Sequence, residues 1–301
     1  MTDPRRHPYA GVPYLLAAVA SWGAYFPLAK LILLKLSPVG FLIIRLGVGA
    51  LTLLALNLRP RRSLAIQRRD WPVVIAAGLV GIVLHQMIQL NGLRQTSATN
   101  TGWILTLIPP VTGILGWFFL RERVSPRQIL GLVIAMIGVV FFVANGRPQN
   151  LSLGHNTGDF LALGSIVTWS SYTIMTKSRL GRCDALALSA IHMALGFVVF
   201  LAFGAVHLPG QAAALSPRDW LIVLAIGVIP SGLAYYWWNA GLQRASAINT
   251  SMFLFLEAIV ASVAGFLLLG EPFTAAKLGS AIVIIGGVTI GQRQLGRKEP
   301  M

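Results

Sequence analysis

An all-α integral membrane protein with ten transmembrane helices, arranged as two inverted five-helix repeats, is the fold the sequence predicts. Three observations carry that prediction. Of the 301 residues, 55% are hydrophobic and 11% are charged, against about 25% charged in a soluble domain. Apolar stretches of about 20 residues, long enough to cross a bilayer as a helix, recur along the whole chain with short polar breaks. The chain also matches itself when Gly92 is laid on Gly241, an offset of 149.

This composition excludes a soluble globular enzyme. The 24 Lys and Arg outnumber 9 Asp and Glu, but nucleic-acid binding needs basic charge gathered in one patch. Here it is scattered between apolar runs, so the expected surroundings are membrane lipids and no nucleic acid. Cys183 is the single cysteine, which rules out an internal disulfide or a thiolate zinc module. No metal or other cofactor is expected.

Taken in order, the spans are read at 11–34, 38–58, 71–93, 97–120 and 126–144, then at 157–176, 183–207, 219–242, 246–269 and 274–292. Each must be helical, because lipid offers no partner to an open backbone. Residues 1–10 and 293–301 form the two termini, and 146–156 links the repeats 11–145 and 157–292. Met1 to Ser21 mimics a secretory signal, with Arg5 and Arg6 before an apolar run. The run continues to Leu34, and Trp22 and Tyr25 recur in the second half, so the segment reads as a retained first span.

Ten spans put both ends on one side, and short cytoplasmic loops are enriched in Lys and Arg. Seventeen basic residues fall on the side of the termini, with the densest group between Arg59 and Arg69, and six (Lys30, Lys35, Arg94, Arg147, Arg218 and Lys277) fall on the other. Only Arg45 lies deep in a span. The termini are therefore expected in the cytoplasm and the 146–156 linker in the periplasm, across a bacterial inner membrane.

At the offset of 149, 12 of the 33 positions from 90 to 122 are identical, including Asn100-Thr101 with Asn249-Thr250 and Glu122 with Glu271. Asp70-Trp71 falls on Asp219-Trp220. A shift of 147 lays Trp22, Tyr25 and Lys30 on Trp169, Tyr172 and Lys177. Five spans per half is an odd number, so the halves enter the membrane from opposite sides and are related by an in-plane pseudo-twofold axis. Such repeats let a carrier open to either side by exchanging the roles of its halves.

The run from Asn100-Thr101 through Pro109-Pro110 to Leu120-Arg121-Glu122-Arg123, and later Leu256-Glu257 to Gly270-Glu271-Pro272, resembles the EamA-like members of the drug/metabolite transporter superfamily. Arg45-Leu46 resembles the arginine that family often carries in its second helix. Ala258 stands where the family often has proline after the glutamate, so no hinge is expected there. The resemblance implies export of amino acids and other small metabolites by alternating access. Relatives that import or exchange sugar phosphates or nucleotide sugars supply the alternative, and an intramembrane enzyme is the rival from another class. A sugar-phosphate carrier needs several inward cations, and only Arg45, Lys30 and Lys177 are available. For an enzyme, neither a nucleophile with a paired base nor a histidine and carboxylate cluster is visible.

Placement of the nine acids singles out Glu257, because a charge deep in the membrane costs at least about 2.5 kcal/mol on insertion scales. It lies 11 residues past Ser246, near mid-helix, where it can take up a proton or a substrate amine; proton coupling is one consequence. Asp70 and Asp219 read as helix caps, and Glu122 and Glu271 as helix-end contacts. In the third helix His85 and Gln89 share a face with Gln86 beside them; Gln86 and Gln89 align with Tyr235 and Trp238. Amides and rings supply hydrogen bonds and flat apolar walls without a fixed charge, which suits small zwitterions or neutral metabolites. The expected substrate site is Tyr25, His85, Gln86, Gln89, Trp103, Trp169, Tyr172, Tyr235, Trp238 and Glu257, with Pro27, Pro109 and Pro230 as hinges. Asn100, Asn249, Arg45 and His192 read as structural. Gly47, Gly49, Gly113, Gly116, Gly286 and Gly287 are expected to let helices approach closely.

Overall fold

A computed structural model of the chain describes residues 9–58, 66–95, 104–147, 149, 151, 157–206, 208–270 and 272–292. Among these the regular structure is helical, with no strand. In order come α1 (Val12–Leu33), α2 (Pro38–Asn57), α3 (Arg68–Gly92), α4 (Leu105–Leu120) and α5 (Pro126–Val143). There follow α6 (Thr157–Arg179), α7 (Ala185–Gly204), α8 (Pro217–Leu242), α9 (Ala247–Leu268) and α10 (Ala275–Gln292), with a short helix Leu208–Ala213 between α7 and α8. Eight of them are long and apolar enough to cross a membrane; α4 is apolar but shorter. Helix α6 has 23 residues but buries Ser165, Thr168, Ser170, Thr173 and Thr176 inside the protein, and these hydroxyls lower its hydropathy.

Helix starts follow from local sequence. Ser37, Ser125 and Ser216 each precede a proline at the first helical turn and accept a hydrogen bond from the backbone three residues on, which leaves proline where its missing N–H costs nothing. Asp219 completes a capping box with Ser216 and also pairs with Lys35 at 2.6 Å. Asp70 differs from its expected role as a cap. It makes no cap hydrogen bond and is fully buried against Arg179 at 2.8 Å and Arg182 at 3.2 Å, guanidinium groups from the end of α6 and the turn after it.

Packing is reciprocal between the halves. α1 packs on α8 and α9, as α6 packs on α3 and α4; α2 packs on α8, as α7 packs on α3. α2 also packs on α7, and α5 on α10. The α5–α10 seam is the tightest: a Cβ on Gly287 would lie 2.4 Å from the backbone nitrogen of Ala135, and one on Gly131 would lie 2.5 Å from the Gly287 carbonyl oxygen. Gly286 corrects an expectation. It faces open space, one residue round the helix from the contact. Apolar side chains such as Leu51, Phe119, Val198, Phe203 and Leu221 cover the outside, as lipid contact requires.

Four helices are irregular at matched places. α3 is π-helical over Leu79–Leu84 and α8 over Gly227–Leu233, segments that overlap at the 149-residue offset. α4 opens with a 3-10 turn, Leu105–Leu107, before its α-helix starts at Ile108. α9 stops at Met252 and resumes at Phe255. Pro230 lies inside the π-helical segment of α8, Pro27 lies within α1, and Pro109 sits in the first turn of the resumed helix of α4. The α9 break falls just before Glu257 without a proline.

Candidate functional site

The largest buried cluster joins α1, α2, α3, α6, α7 and α8, with Ile108 of α4 and Phe253 of α9, and its middle is a set of rings. Trp22 of α1 meets Trp169 of α6 edge-on, with centroids 5.4 Å apart, and also contacts Tyr235 at 5.3 Å and Trp238 at 5.4 Å. Trp169 extends the set to Tyr172 at 5.3 Å and to the His85 ring at 5.1 Å. Gln86 Nε2 donates to the Tyr235 hydroxyl at 2.8 Å. His85 Nδ1 lies 3.1 Å from the Ser165 carbonyl and 3.1 Å from Thr168 Oγ1; a carbonyl only accepts, so the proton is on Nδ1. Tyr25 accepts a hydrogen bond from Arg45. No ring or amide named here is more than 8% exposed, so the cluster is closed on itself.

Two of these contacts join repeat partners. Trp22 and Trp169 correspond at the 147-residue shift, and Gln86 and Tyr235 at 149. The ion pairs follow the same rule: Asp70 corresponds to Asp219, and Arg182 to Lys35 at 147, so the Asp70–Arg182 and Asp219–Lys35 pairs are equivalents. Trp22 also donates to the carbonyl of Pro230 at 3.0 Å, tying α1 to the π-helical part of α8.

Comparison with known proteins places this arrangement. The EamA-like transporter family matches residues 9–144 and again 156–290. The chain belongs to that family. An uncharacterized transporter of Bacillus subtilis, YvbV, is 27% identical over 279 residues, covering 90% of this chain and 88% of its own. A probable terminal-alkyne amino-acid exporter of Streptantibioticus cattleyicolor is 29% identical over 288 residues, 94% of both chains. A crystal structure with 19% identity superposes with a TM-score of 0.80 over 96% of this chain and 99% of that one, a likeness of fold. As an EamA-like transporter the chain is a multi-pass membrane protein for small molecules.

Within this EamA-like chain the structure gathers most of the expected site residues. His85, Gln86, Trp169, Tyr172, Tyr235 and Trp238 belong to one connected set, whereas Tyr25 packs in a separate cluster with Phe26, Phe41 and Arg45. Gln89 is half-buried and hydrogen-bonds to nothing among the described residues. Trp103, Asn100 and Glu271 lie outside the described residues. Glu257 sits in the first turn after the α9 break, half-buried, with no ion pair or hydrogen bond from its carboxylate among the described residues. Trp22 and Arg45 are the residues that the sequence underplayed. Trp22 served there only as a marker of the repeat; its signal was that its partner Trp169 was itself a site candidate. Arg45 packs its guanidinium 4.8 Å from the Tyr25 ring centre and 5.5 Å from that of Phe41.

Away from the rings, contacts at helix ends hold the bundle. Glu122 Oε2 accepts from the backbone of Ala247 at 2.8 Å, linking the end of α4 to the start of α9. Lys177 donates to the carbonyls of Leu242 at 2.7 Å and Ala245 at 2.6 Å, closing the end of α8 against α6. Its repeat partner Lys30 is exposed. Asn249 accepts from Gln128 at 2.8 Å, and its carbonyl accepts from Gln292 at 2.7 Å, which fastens α9 to α5 and α10. His192 Nε2 lies 3.1 Å from the Val74 carbonyl. Burial pushes the Glu122 carboxyl above the ordinary carboxylate range, opposed by the Ala247 N–H and the Lys177 ammonium.

Proposed function

We propose that this protein exports amino acids or related small metabolites across a bacterial inner membrane by alternating access, transporting rather than catalysing. In this reading ten spans form two inverted repeats, 11–145 and 157–292, with 146–156 periplasmic and the termini 1–10 and 293–301 cytoplasmic. The observation that carries it is the contact of Trp22 with Trp169 and of Gln86 with Tyr235. Under a twofold relation a residue touches its own partner only at the axis, and transporters of this build place substrate at the repeat interface. The reciprocal helix pairing, the matched π-helical segments and the paired salt bridges support the same axis. The likeness to a probable amino-acid exporter supports the substrate class. Tyr25, His85, Gln86, Gln89, Trp103, Trp169, Tyr172, Tyr235, Trp238 and Glu257 would line the opened cavity, with Pro27, Pro109 and Pro230 at the hinges.

Counterflow in proteoliposomes with a panel of amino acids, with and without a pH gradient, tests the reading. Saturable exchange of at least one amino acid is expected. Glu257→Gln is expected to change the rate and remove any pH dependence; unchanged rate and pH dependence excludes Glu257 from coupling. Labelling that puts residues 1 and 301 on opposite faces of the membrane overturns the inverted repeat.

A further inference from the structure

We infer that Arg45 is the anchor for the carboxylate of a zwitterionic substrate, with Glu257 receiving its ammonium group; this rests on the amino-acid reading above. Arg45 lies in the first half of α2 and is 4% exposed, so its guanidinium is enclosed by protein. A cation held there needs a partner, because desolvation is repaid only by close opposite charge and filled hydrogen bonds. Its contacts are the Tyr25 hydroxyl and the faces of Tyr25 and Phe41. Its Nε has no acceptor among the described residues, and no described carboxylate lies within ion-pair distance of it.

Other buried polar atoms of the bundle are unpaired as well. Trp169 Nε1 and Trp238 Nε1 are also buried donors without an acceptor among the described residues. Helix α1 links the two charges: a Cβ on Gly23 would lie 2.9 Å from the Glu257 carbonyl oxygen, and Tyr25, two residues on, holds Arg45. Unpaired groups of both kinds therefore occur here, donors at Trp169 and Trp238 and acceptors at Asn239 Oδ1 and His192 Nδ1, and α1 brings the Arg45 guanidinium and the unpaired Glu257 carboxylate into one neighbourhood. A guanidinium matches a planar carboxylate with two parallel hydrogen bonds. A zwitterion satisfies both ends while adding no net charge to an apolar cluster, whereas a simple anion leaves Glu257 unpaired and brings a like charge toward it.

Tryptophan fluorescence of the purified full-length protein reads binding directly, since Trp22, Trp169 and Trp238 are in the cluster. Leucine, leucinamide and N-acetyl-leucine are titrated against wild type, Arg45→Gln, Arg45→Lys and Glu257→Gln. Wild type is expected to prefer leucine over each analogue by about tenfold, the worth of one charge-assisted contact. Arg45→Gln is expected to erase the preference over leucinamide while leaving leucinamide affinity nearly unchanged, and Arg45→Lys to keep part of it. Glu257→Gln is expected to erase the preference over N-acetyl-leucine. Wild type that binds leucinamide as tightly as leucine overturns the anchor whether or not any variant folds; so does a folded Arg45→Gln that still discriminates. Binding without discrimination removes the anchor alone, whereas no binding and no counterflow of any amino acid removes the amino-acid reading and the anchor with it.

Discussion

Among the contacts that bring a helix against its own repeat partner, those at α5–α10 and α1–α6 are built from opposite materials. At α5–α10 glycine and alanine put backbone on backbone, so that a single added methyl on Gly287 meets main-chain atoms at 2.4 and 2.7 Å. At α1–α6 the contact is made by Trp22 and Trp169, whose ring centres are 5.4 Å apart. Backbone cannot yield without moving a whole helix, but a ring can change rotamer and keep its apolar neighbours. The comparison separates a fixed seam from a centre that can repack, and the centre carries the amides, hydroxyls and charges.

Breaking the fixed seam is expected to have the largest effect. Gly287→Ala is expected to cost about 1–3 kcal/mol, toward the upper end because the atoms it meets belong to the backbone. Gly286→Ala, next to it but with nothing within 4 Å, is expected to be neutral or to gain up to about 1 kcal/mol from helix propensity. Thermal unfolding in detergent, followed by size-exclusion peak height, compares them. Equal losses at the two positions would show that the seam is looser than its geometry.

The spans themselves were legible because a bilayer-length apolar run has one solution, a helix. Predicted and observed ends agree closely for α2, predicted at 38–58 and found at Pro38–Asn57, and for α5, predicted at 126–144 and found at Pro126–Val143. The π-helical segment of α3 and the α9 break were not legible, because Leu, Val and Gly suit α, 3-10 and π turns alike and the break at residues 253–254 has no proline to announce it; in α8 Pro230 marked the place but not the π form. Asp70 and Asp219 shared a sequence context and so were read alike, yet one is held by Arg179 and Arg182 and the other works in a capping box. Lys35 and Arg182, set beside those acids in the repeat alignment, would have indicated the pairing. That Gln86 and Tyr235 were equivalent could be read from the chain; that they touch required the axis.

A smaller effect is expected from the centre. The Gln86–Tyr235 hydrogen bond is buried and neutral, so Tyr235→Phe, which strands the Gln86 amide, is expected to cost about 1–3 kcal/mol at most. Adding Gln86→Leu is expected to recover part of that, with a coupling energy of about 1 kcal/mol in the double-mutant cycle. Transport is expected to fall more steeply than stability in each single variant, measured by counterflow beside the melting curves. Strictly additive losses would mean that the pair is not coupled. Loss of folded protein as complete as in a bulky substitution at Gly287 would erase the contrast between the two joints.

The smallest effect is expected where Glu122 joins α4 to α9, outside both joints. Its carboxyl is raised by burial, so between the ordinary carboxylate range and that raised value the folded state holds a proton the unfolded state has released. Stability from this group is therefore fully present at low pH and declines as pH rises through the interval. The half-buried position and the Lys177 charge limit the size of the change. Glu122→Gln is expected to flatten that part of the stability profile, because a glutamine can still accept from the Ala247 N–H but cannot titrate. Melting temperatures of wild type and variant from pH 4 to pH 8 compare the two. A wild-type curve that rises through the interval as the variant stays flat would place the Glu122 carboxylate below the ordinary range, and make the α4–α9 tie a charge-stabilised contact instead of a buried one.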